Sequence, residues 1–333
     1  MVTELRAGVA GAGFVGRAHV NAYAAIEGVR VVAVADPVLV KAERLAARVG
    51  AVALSDFDEL LDAGLDVITI GTPSATHATL AVRALEAGLH VLCEKPIART
   101  LADARRIVTA AEAAAGILMV GHVCRYEPDH RRAKDSIEAG DLGTVRMVSH
   151  TMTTSVPGWS EVGWLADTEQ SGGPLVDLGV HSFDFISWAA GSPAVRVHAV
   201  GADTDAGPAT YVLATIRYAN GAMGLVEASW AHPVSHGFKV STEIIGTDGR
   251  VSWDYDQIAG GVIHFASRDS IAFDPLSDRG FRSELAGFTH AVRTGAPSPV
   301  PAGDGLTALR TALAAAESVR TGESIDLTVW GLP

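Results

Sequence analysis

A lysine beside a proline is the first feature of this sequence that could carry acid–base or electrostatic chemistry. Lys95 stands in Glu94-Lys95-Pro96, where the proline disfavours helical geometry at the lysine and lowers the cost of a cis peptide bond. An ammonium held in this way could stabilise negative charge that develops during a reaction. The alternative is a surface lysine that only pairs with Glu94, and such exposed pairs contribute little.

A carboxylate and an imidazole form the second feature. Asp177 and His181 lie four residues apart in a segment that opens with Gly172-Gly173-Pro174 and is predicted to be one helix, which would also carry Asp184 and Trp188 on the same stripe. The rest of this segment is apolar, so the pair needs partners or a ligand. The pattern favours a cavity wall, with a core histidine held by a carboxylate as the alternative.

The third feature is the glycine-rich segment Gly11-Ala12-Gly13-Phe14-Val15-Gly16, which has the spacing of a dinucleotide-binding loop. It follows a predicted strand and opens a predicted helix, and Asp36 lies twenty residues after Gly16 at the end of the second strand. We expect this loop to bind the pyrophosphate of NAD and Asp36 to bind the adenosine ribose. The carboxylate disfavours the 2′-phosphate of NADP, although Lys41 could weaken that preference.

Alternating strands and helices position these residues over the first 121 residues. Strands are predicted at 6–10, 29–35, 51–54, 67–71, 90–94 and 117–122, with helices at 14–26, near Phe57, at 77–86 and at 101–114. This alternation predicts an α/β Rossmann domain with a doubly wound parallel sheet. Lys95 follows the fifth strand, at the edge where such sheets bind ligands.

From residue 122 to residue 333 the pattern predicts an α+β domain. Helical segments to about Gly191 give way to strands at 144–153, 195–201, 211–218, 223–229, 239–245, 250–254 and 262–265, followed by helices at 284–293 and 306–320 and an edge strand at 325–327. Asn220-Gly221 and Thr247-Asp248-Gly249 are typical of hairpin turns. We expect a large, mostly antiparallel, open-faced sheet that leaves one face for pairing.

Composition excludes several classes of protein. The chain has 333 residues, 48% of them hydrophobic and 19% charged, which is typical of a globular protein of two domains, placed here at 1–121 and 122–333. A net charge of −12 disfavours nucleic acid and anionic membranes as partners. With two cysteines, no signal peptide and no apolar run of roughly 20 residues, we expect a cytoplasmic protein without a membrane segment.

The combination of motifs resembles the Gfo/Idh/MocA family, which includes glucose-fructose oxidoreductase and inositol dehydrogenases, over nearly the whole chain. The family's motifs match at Gly11 through His19, at Thr72-Pro73-Ser74-Ala75-Thr76-His77, at Ala87 through Pro96 and at Asp177 through His181. Ser74 departs from the asparagine of many members. The resemblance implies a substrate-binding and oligomerisation domain after the Rossmann domain, NAD or else NADP as cofactor, a sugar, inositol or related polyol as substrate, and a homodimer or homotetramer.

The motifs and the resemblance together assign site residues. The expected cofactor-binding residues are Gly11, Gly13, Phe14, Val15, Gly16, Asp36, Thr72, Pro73, His77, Glu94 and Lys95. The expected catalytic residues are Lys95, Asp177 and His181. We expect His181 to take the hydroxyl proton of a secondary alcohol while a hydride passes to nicotinamide, and Lys95 to stabilise the alkoxide, although these two roles could be exchanged. Asp177 would orient the imidazole or bind a neighbouring hydroxyl.

Substrate recognition needs polar groups around an apolar wall. The predicted substrate-binding residues are Lys95, Arg125, Tyr126, Trp164, Asp177 and His181, with Trp159 and Asp184 as further candidates and a surface pair between Arg125 and Glu127 as an alternative. The scattered histidines His122, His150, His232 and His236 lack the spacing of a zinc site, so no metal is predicted. Two other functions stay open, a non-catalytic sensor of NAD and a sugar, and a reductase of a keto-sugar, imine or enone.

Overall fold

A computed structural model describes residues 4–156, 171–204, 207–255, 261–265, 271–273 and 280–332 of the chain. Two units are present, the first made of Met1–Tyr126 and Asp278–Leu306 and the second of Glu127–Ser277 and Thr307–Pro333. The prediction from the sequence has a single boundary after residue 121. The structure instead adds a late segment of the chain to the first unit.

The first unit contains six parallel strands joined by helices. Its elements are β1 (Leu5–Ala10), α1 (Phe14–Ala24), β2 (Val29–Ala35), α2 (Leu39–Ala46), β3 (Val52–Leu54), α3 (Phe57–Leu61), β4 (Val67–Ile70), α4 (His77–Glu86), β5 (His90–Glu94), α5 (Leu101–Ala113) and β6 (Leu118–Gly121). The strand order is β3-β2-β1-β4-β5-β6. All residues of β4 are buried, as expected for a parallel strand covered on both faces. The predicted doubly wound Rossmann sheet is confirmed.

The order of the strands reverses between β1 and β4, which pair directly. A parallel sheet brings the carboxyl ends of its strands to one edge, and ligands bind where the order reverses. The segments that follow β1, β2, β4 and β5 therefore share this edge. They contain most of the cofactor-binding residues predicted from the sequence.

The second unit is built on a nine-stranded sheet. Its elements, in chain order, are α6 (Pro128–Glu138), β7 (Val145–Thr153), α7 (Gly173–Asp177), α8 (Gly179–Ala190), β8 (Ala194–Thr204), β9 (Gly207–Tyr218), β10 (Met223–Ser229), β11 (Lys239–Gly246), β12 (Gly249–Tyr255), β13 (Gly261–Phe265) and β14 (Ile271–Phe273). Three further elements follow in the chain, namely α9 (Phe281–Thr294), which belongs to the first unit, α10 (Ala302–Thr321), which belongs to the second unit from Thr307 onward, and β15 (Ile325–Asp326) in the second unit. Most of α9 and the strand β15 agree with the predicted helix and edge strand.

The large sheet has the order β14-β13-β12-β11-β7-β10-β9-β8-β15. Every pair of neighbouring strands is antiparallel except β7 with β10, so the predicted mostly antiparallel sheet is confirmed. The hairpin turns at Asn220-Gly221 and at Thr247-Asp248-Gly249 join β9 to β10 and β11 to β12 as predicted. One face of the sheet packs against α8, and on the opposite face Leu213 and Leu225 are exposed.

The segment predicted to be one helix after Pro174 is two helices, and this prediction was wrong. The break falls at Leu178, between α7 and α8. The N–H of His181 donates to the Leu178 carbonyl at 3.2 Å, a bond over three residues that tightens the chain there. Asp177 therefore ends α7, whereas His181 lies in the first turn of α8.

Candidate active site

The glycine loop after β1 has a geometry that only glycine tolerates at two positions. Gly11 has a φ of 95°, and a Cβ there would lie 2.5 Å from the carbonyl oxygen of Gly71. A Cβ on Gly16 would clash with the Gly11 carbonyl, because the first turn of α1 lies directly against the strand. Around Gly13, in contrast, a Cβ would meet nothing within 4 Å. The open space lies where a pyrophosphate would approach the loop.

The residues around this loop fit a dinucleotide. In the described part of the chain, no side-chain hydrogen bond caps the N-terminus of α1, and the first turn of the helix has no acidic residue. The positive end of the helix dipole there suits a phosphate group. Asp36, after β2, accepts the N–H of Ala12 at 2.9 Å with Oδ2 and that of Val38 at 2.9 Å with Oδ1. A carboxylate has lone pairs left for two ribose hydroxyls beyond these bonds.

His77 ties two segments of the edge together. Its side chain is fully buried, and its Nδ1 and Nε2 lie 2.9 Å from the Pro96 carbonyl and 2.8 Å from the Thr72 carbonyl. Burial lowers the pKa of His77, although the two carbonyl groups oppose that shift. These contacts connect Thr72 with Pro96, and the expected contact of His77 with the cofactor stays a prediction.

Lys95 begins the segment that follows β5, and its peptide bond to Pro96 is cis. Its backbone N–H donates to Oε2 of Glu94 at 3.1 Å. The Glu94 side chain is buried under the sheet edge and lies 3.1 Å from Nε2 of His19. Glu94 therefore contacts His19 and the backbone of its neighbour, and its expected contact with the cofactor stays a prediction.

Asp177 and His181 lie in the second unit, on α7 and α8. Asp177 and Asp184 are buried, and His181 is half-buried. The apolar side chains around them are buried as predicted, namely Leu175, Val176, Leu178, Val180, Phe183, Phe185 and Ile186. Trp188 packs beneath the cationic groups of Arg131 and Lys134, which lie 5.1 and 5.3 Å from its ring centroid. Its neighbours support a structural role for this tryptophan.

Two buried histidines, His130 and His150, hold α8 in place, and the sequence did not predict these contacts. Nδ1 of His150 lies 2.8 Å from Oγ of Ser182, and its Nε2 lies 3.1 Å from Nε2 of His130. Nδ1 of His130 in turn lies 3.0 Å from Glu127. Burial and the neighbouring His130 lower the pKa of His150 well below its ordinary value. The contacts connect β7 and α6 to the helix that carries His181, and no spacing along the chain signals them.

The structure describes Arg125 and Tyr126 among the remaining predicted substrate-binding residues. Arg125 is buried, and its Nη1 donates to Oδ2 of Asp304, a partly exposed residue, at 2.8 Å. The hydroxyl of Tyr126 donates to the sulfur of Met119 at 3.8 Å. Trp159 and Trp164 lie outside the described residues. His232 and His236, predicted to be scattered, stack with their ring centroids 4.0 Å apart.

Within the described residues, one group of side chains that could hold a metal ion consists of His19, Glu94 and Glu284, whose nitrogen and oxygen atoms lie within 4.8 Å of one another. The three residues are far apart in the sequence, so no motif spacing predicts this group. No helix among the described residues combines the length and the apolar character that crossing a bilayer requires.

The strand order, the glycine loop after β1 and the carboxylate after β2 define a dinucleotide-binding domain. Residues 5–122 match the family model described as "Oxidoreductase family, NAD-binding Rossmann fold", and residues 130–252 match the "GFO/IDH/MocA C-terminal domain". The chain therefore belongs to the GFO/IDH/MocA family. It is an NAD-dependent oxidoreductase of this family, and its first domain is an NAD-binding Rossmann domain.

Known proteins are similar to the chain over nearly its whole length. The inositol 2-dehydrogenase of Rhizobium meliloti strain 1021 is 30% identical, with 97% of this chain and 99% of that protein covered. The rhizopine catabolism protein MocA of Rhizobium meliloti is also 30% identical, with 95% of each chain covered. A solved structure of levoglucosan dehydrogenase in complex with NADH and L-sorbose is 26% identical, has a TM-score of 0.88 and covers 97% of this chain and 98% of that one.

Proposed function

We propose that the protein is an NAD-dependent dehydrogenase of a sugar, an inositol or a related polyol. The observation that carries the proposal is the position of Lys95. This residue carries an ammonium group and follows β5, at the same sheet edge as the glycine loop and Asp36. Relatives named inositol, xylose and levoglucosan dehydrogenases support this substrate class. A site that binds NAD and offers a cation beside it suits oxidation of an alcohol, in which negative charge develops on oxygen.

The cofactor that we propose is NAD rather than NADP. Gly11, Gly13, Phe14, Val15 and Gly16 would hold the pyrophosphate, and Asp36 the ribose, while Thr72 and Pro73 would border the cofactor. A carboxylate at the end of β2 repels a 2′-phosphate. When bound, the nicotinamide accepts the hydride, and the residues of this chain supply orientation and charge.

Three side chains have chemical roles in the proposed reaction. His181 removes the proton of the reacting hydroxyl, and the ammonium of Lys95 stabilises the oxygen from which that proton leaves. Asp177 orients the imidazole or binds a neighbouring hydroxyl. Arg125 and Tyr126 are proposed to help shape the substrate pocket, Arg125 through its ion pair with Asp304.

A spectrophotometric panel tests this function. Purified protein is incubated with NAD or NADP and with a series of inositols, aldoses and keto-sugars, and the absorbance of reduced nicotinamide is followed in both directions. We expect reduction of NAD by at least one polyol, with NADP used at least about tenfold less efficiently, which corresponds to about 1.4 kcal/mol. Binding of NAD and a sugar without turnover would indicate a sensor and contradict the proposal. Turnover only with carbonyl or imine substrates would indicate a reductase.

The cytoplasm is the compartment that we propose. Cys93 and Cys124 are both buried, and they form no disulfide with each other in the described structure. Burial, together with the charge of Glu94, raises the pKa of the Cys93 thiol and keeps it in its unreactive form. Thiols of this kind are typical of proteins from reducing compartments.

We further propose that the exposed face of the large sheet joins two copies of the chain in a homodimer or homotetramer. The neighbouring strands β8, β9 and β10 expose Val200, Leu213, Met223 and Leu225, with exposed fractions of 56, 40, 47 and 40%. The pairing of Val200 with Leu213 places these side chains on one face. Exposed apolar side chains on neighbouring strands of one sheet face favour a surface that another protein covers.

Substitution on this face tests the assembly. Leu213→Glu together with Leu225→Lys is expected to convert the oligomer to monomers in light scattering coupled to size exclusion, because charges would lose water in the interface. The control is Val52→Lys, at a 60% exposed valine of β3 in the first unit, which should keep the oligomer. A wild-type protein that is monomeric at assay concentration would contradict this part of the proposal.

A further inference from the structure

Three ionisable side chains meet in the interior of the first unit, and each comes from a different element. His19 lies on α1, Glu94 on β5 and Glu284 on α9. Nε2 of His19 lies 3.1 Å from Oε1 of Glu94 and 3.9 Å from Oε2 of Glu284. His19 and Glu284 are fully buried, and Glu94 is 6% exposed. We call this group the buried triad.

Two carboxylates in one buried site cannot both keep a negative charge without a large cost in desolvation and repulsion. Burial raises the pKa of Glu94, but the hydrogen bond and charge of His19, with the charge of Lys95, outweigh it and hold that pKa below its ordinary value. Burial, and then the negative charge of Glu94, raise the pKa of Glu284 well above its ordinary value. Neither carboxyl oxygen of Glu284 has a hydrogen-bond partner within the described residues.

We propose that Glu94 is ionised and Glu284 is protonated in the buried triad, and that the triad positions Lys95. In this arrangement Glu284 is a neutral acid within 4.8 Å of the facing atoms of Glu94 and His19, so it places a polar group but no second negative charge beside Glu94. Glu94 then keeps its charge for His19 and for the backbone of Lys95.

The link to Lys95 is a direct contact. Oε2 of Glu94 accepts the N–H of Lys95 at 3.1 Å, and the other oxygen faces His19. A Cβ on Gly121 would lie 2.7 Å from Oε1 of Glu94, so the glycine of β6 leaves the space that this carboxylate occupies. The orientation of the Glu94 side chain therefore helps to fix the position of the Lys95 backbone N–H. This part of the inference rests on the proposed function, because it assumes that Lys95 acts in catalysis.

Other ionisable groups near the triad are few among the described residues. On α1, Tyr23 donates to or accepts from Oγ1 of Thr69 at 3.1 Å, and burial is the main reason that its pKa is raised. Nδ1 of His19 lies 3.4 Å from the same hydroxyl. The short turn 123–126, which packs against α9, contributes Arg125, whose charge is engaged by Asp304 at 2.8 Å. On α9 itself, Arg282 is exposed. The immediate charge balance of Glu284 is thus set by His19 and Glu94.

Infrared spectroscopy tests the protonation state directly. The difference spectrum of wild type minus Glu284→Gln at neutral pH is expected to show the C=O stretching band of a protonated carboxylic acid, shifted in D2O. The matched control is Glu317→Gln, at a carboxylate whose pKa is lowered mainly by its hydrogen bond with Arg320, and it should show carboxylate bands only. Carboxylate bands alone for Glu284 would overturn the inference. A stoichiometric metal ion in the purified protein, lost in Glu284→Gln, would also overturn it, because the cation would then replace the proton.

Stability as a function of pH gives a second readout. The pKa of Glu284 is higher in the folded protein than its ordinary value of 4.5. The contribution of Glu284 to the free energy of unfolding is therefore complete below about pH 4.5 and is lost as the pH rises. Glutamine cannot ionise. The melting temperature of Glu284→Gln minus that of wild type should therefore increase, by about 2 °C or more, from about pH 5 to about pH 8. A difference that stays constant over this range would contradict a protonated Glu284.

Kinetics test the positioning role with two variants of similar volume. Glu284→Leu fills the space but removes the polar group beside Glu94, and we expect kcat to fall at least about tenfold while KM for NAD changes less than about twofold. Glu284→Gln, whose amide can donate, should restore most of kcat. Equal kcat in both variants would overturn the positioning role. The infrared result does not depend on turnover, so an inactive wild type with the acid band present would count against the proposed function and not against the triad.

Discussion

Replacement of Lys95 by methionine is expected to lower kcat by about a hundredfold to a thousandfold, with little change in the affinity for NAD. The variant keeps most of the side-chain volume and removes the positive charge. A preorganised cation that faces developing negative charge contributes several kcal/mol in a site that excludes water, and its loss appears in kcat because the charge exists only in the transition state. Steady-state kinetics, with NAD affinity from tryptophan fluorescence, measures both quantities.

A chemical-rescue experiment provides the control for Lys95. The smaller variant Lys95→Ala should regain part of its turnover when a primary amine such as methylamine is added, because the ammonium can occupy the vacated space. An alcohol of the same size should give no rescue. Turnover close to wild type in Lys95→Met, with the fold and NAD binding intact, would remove Lys95 from the chemistry.

Replacement of His181 by asparagine is expected to lower kcat by about a hundredfold to ten-thousandfold. Asparagine can hydrogen-bond but cannot accept the hydroxyl proton. For oxidation of an alcohol, the wild-type kcat/KM should fall on the acidic side of its pH profile, because a general base works only in its deprotonated form. That acidic limb should disappear in His181→Asn. Initial rates across a pH series measure this directly.

The matched control for this variant is His290→Asn, at an exposed histidine of α9. It should keep both the wild-type rate and the wild-type profile. Loss of the acidic limb in Lys95→Met, with the limb retained in His181→Asn, would show that the two residues exchange the roles proposed for them. A wild-type rate in His181→Asn would exclude His181 as the base.

The prediction for His181 depends on how the second unit holds its helices. The break at Leu178 places His181 in the first turn of α8, and the buried contact between His150 and Ser182 fixes the next residue along that helix. Since Asp177 ends the separate helix α7, small changes at Leu178 would alter the relation between the carboxylate and the imidazole. The same backbone break explains why a helical wheel cannot describe this pair.

The amino-acid order was sufficient to predict the class of fold and much of the cofactor site. Parallel strands and helices produce local apolar patterns, and the glycine loop and Asp36 are recognisable because their spacing follows from one strand, one turn and one helix. The hairpins at Asn220-Gly221 and at Thr247-Asp248-Gly249 were predictable for the same reason. Their turns depend on only a few adjacent residues.

Other features depend on contacts between residues far apart in the chain, which no local pattern encodes. Glu284 reaches His19 and Glu94 only because α9 packs against α1 in the first unit, and a sequence window around Glu284 shows an ordinary amphipathic helix. His150 meets His130 through the packing of a strand and a helix in the second unit. Ionisable side chains become a site when burial removes water and packing brings them together, so their charge states were decided by the tertiary structure.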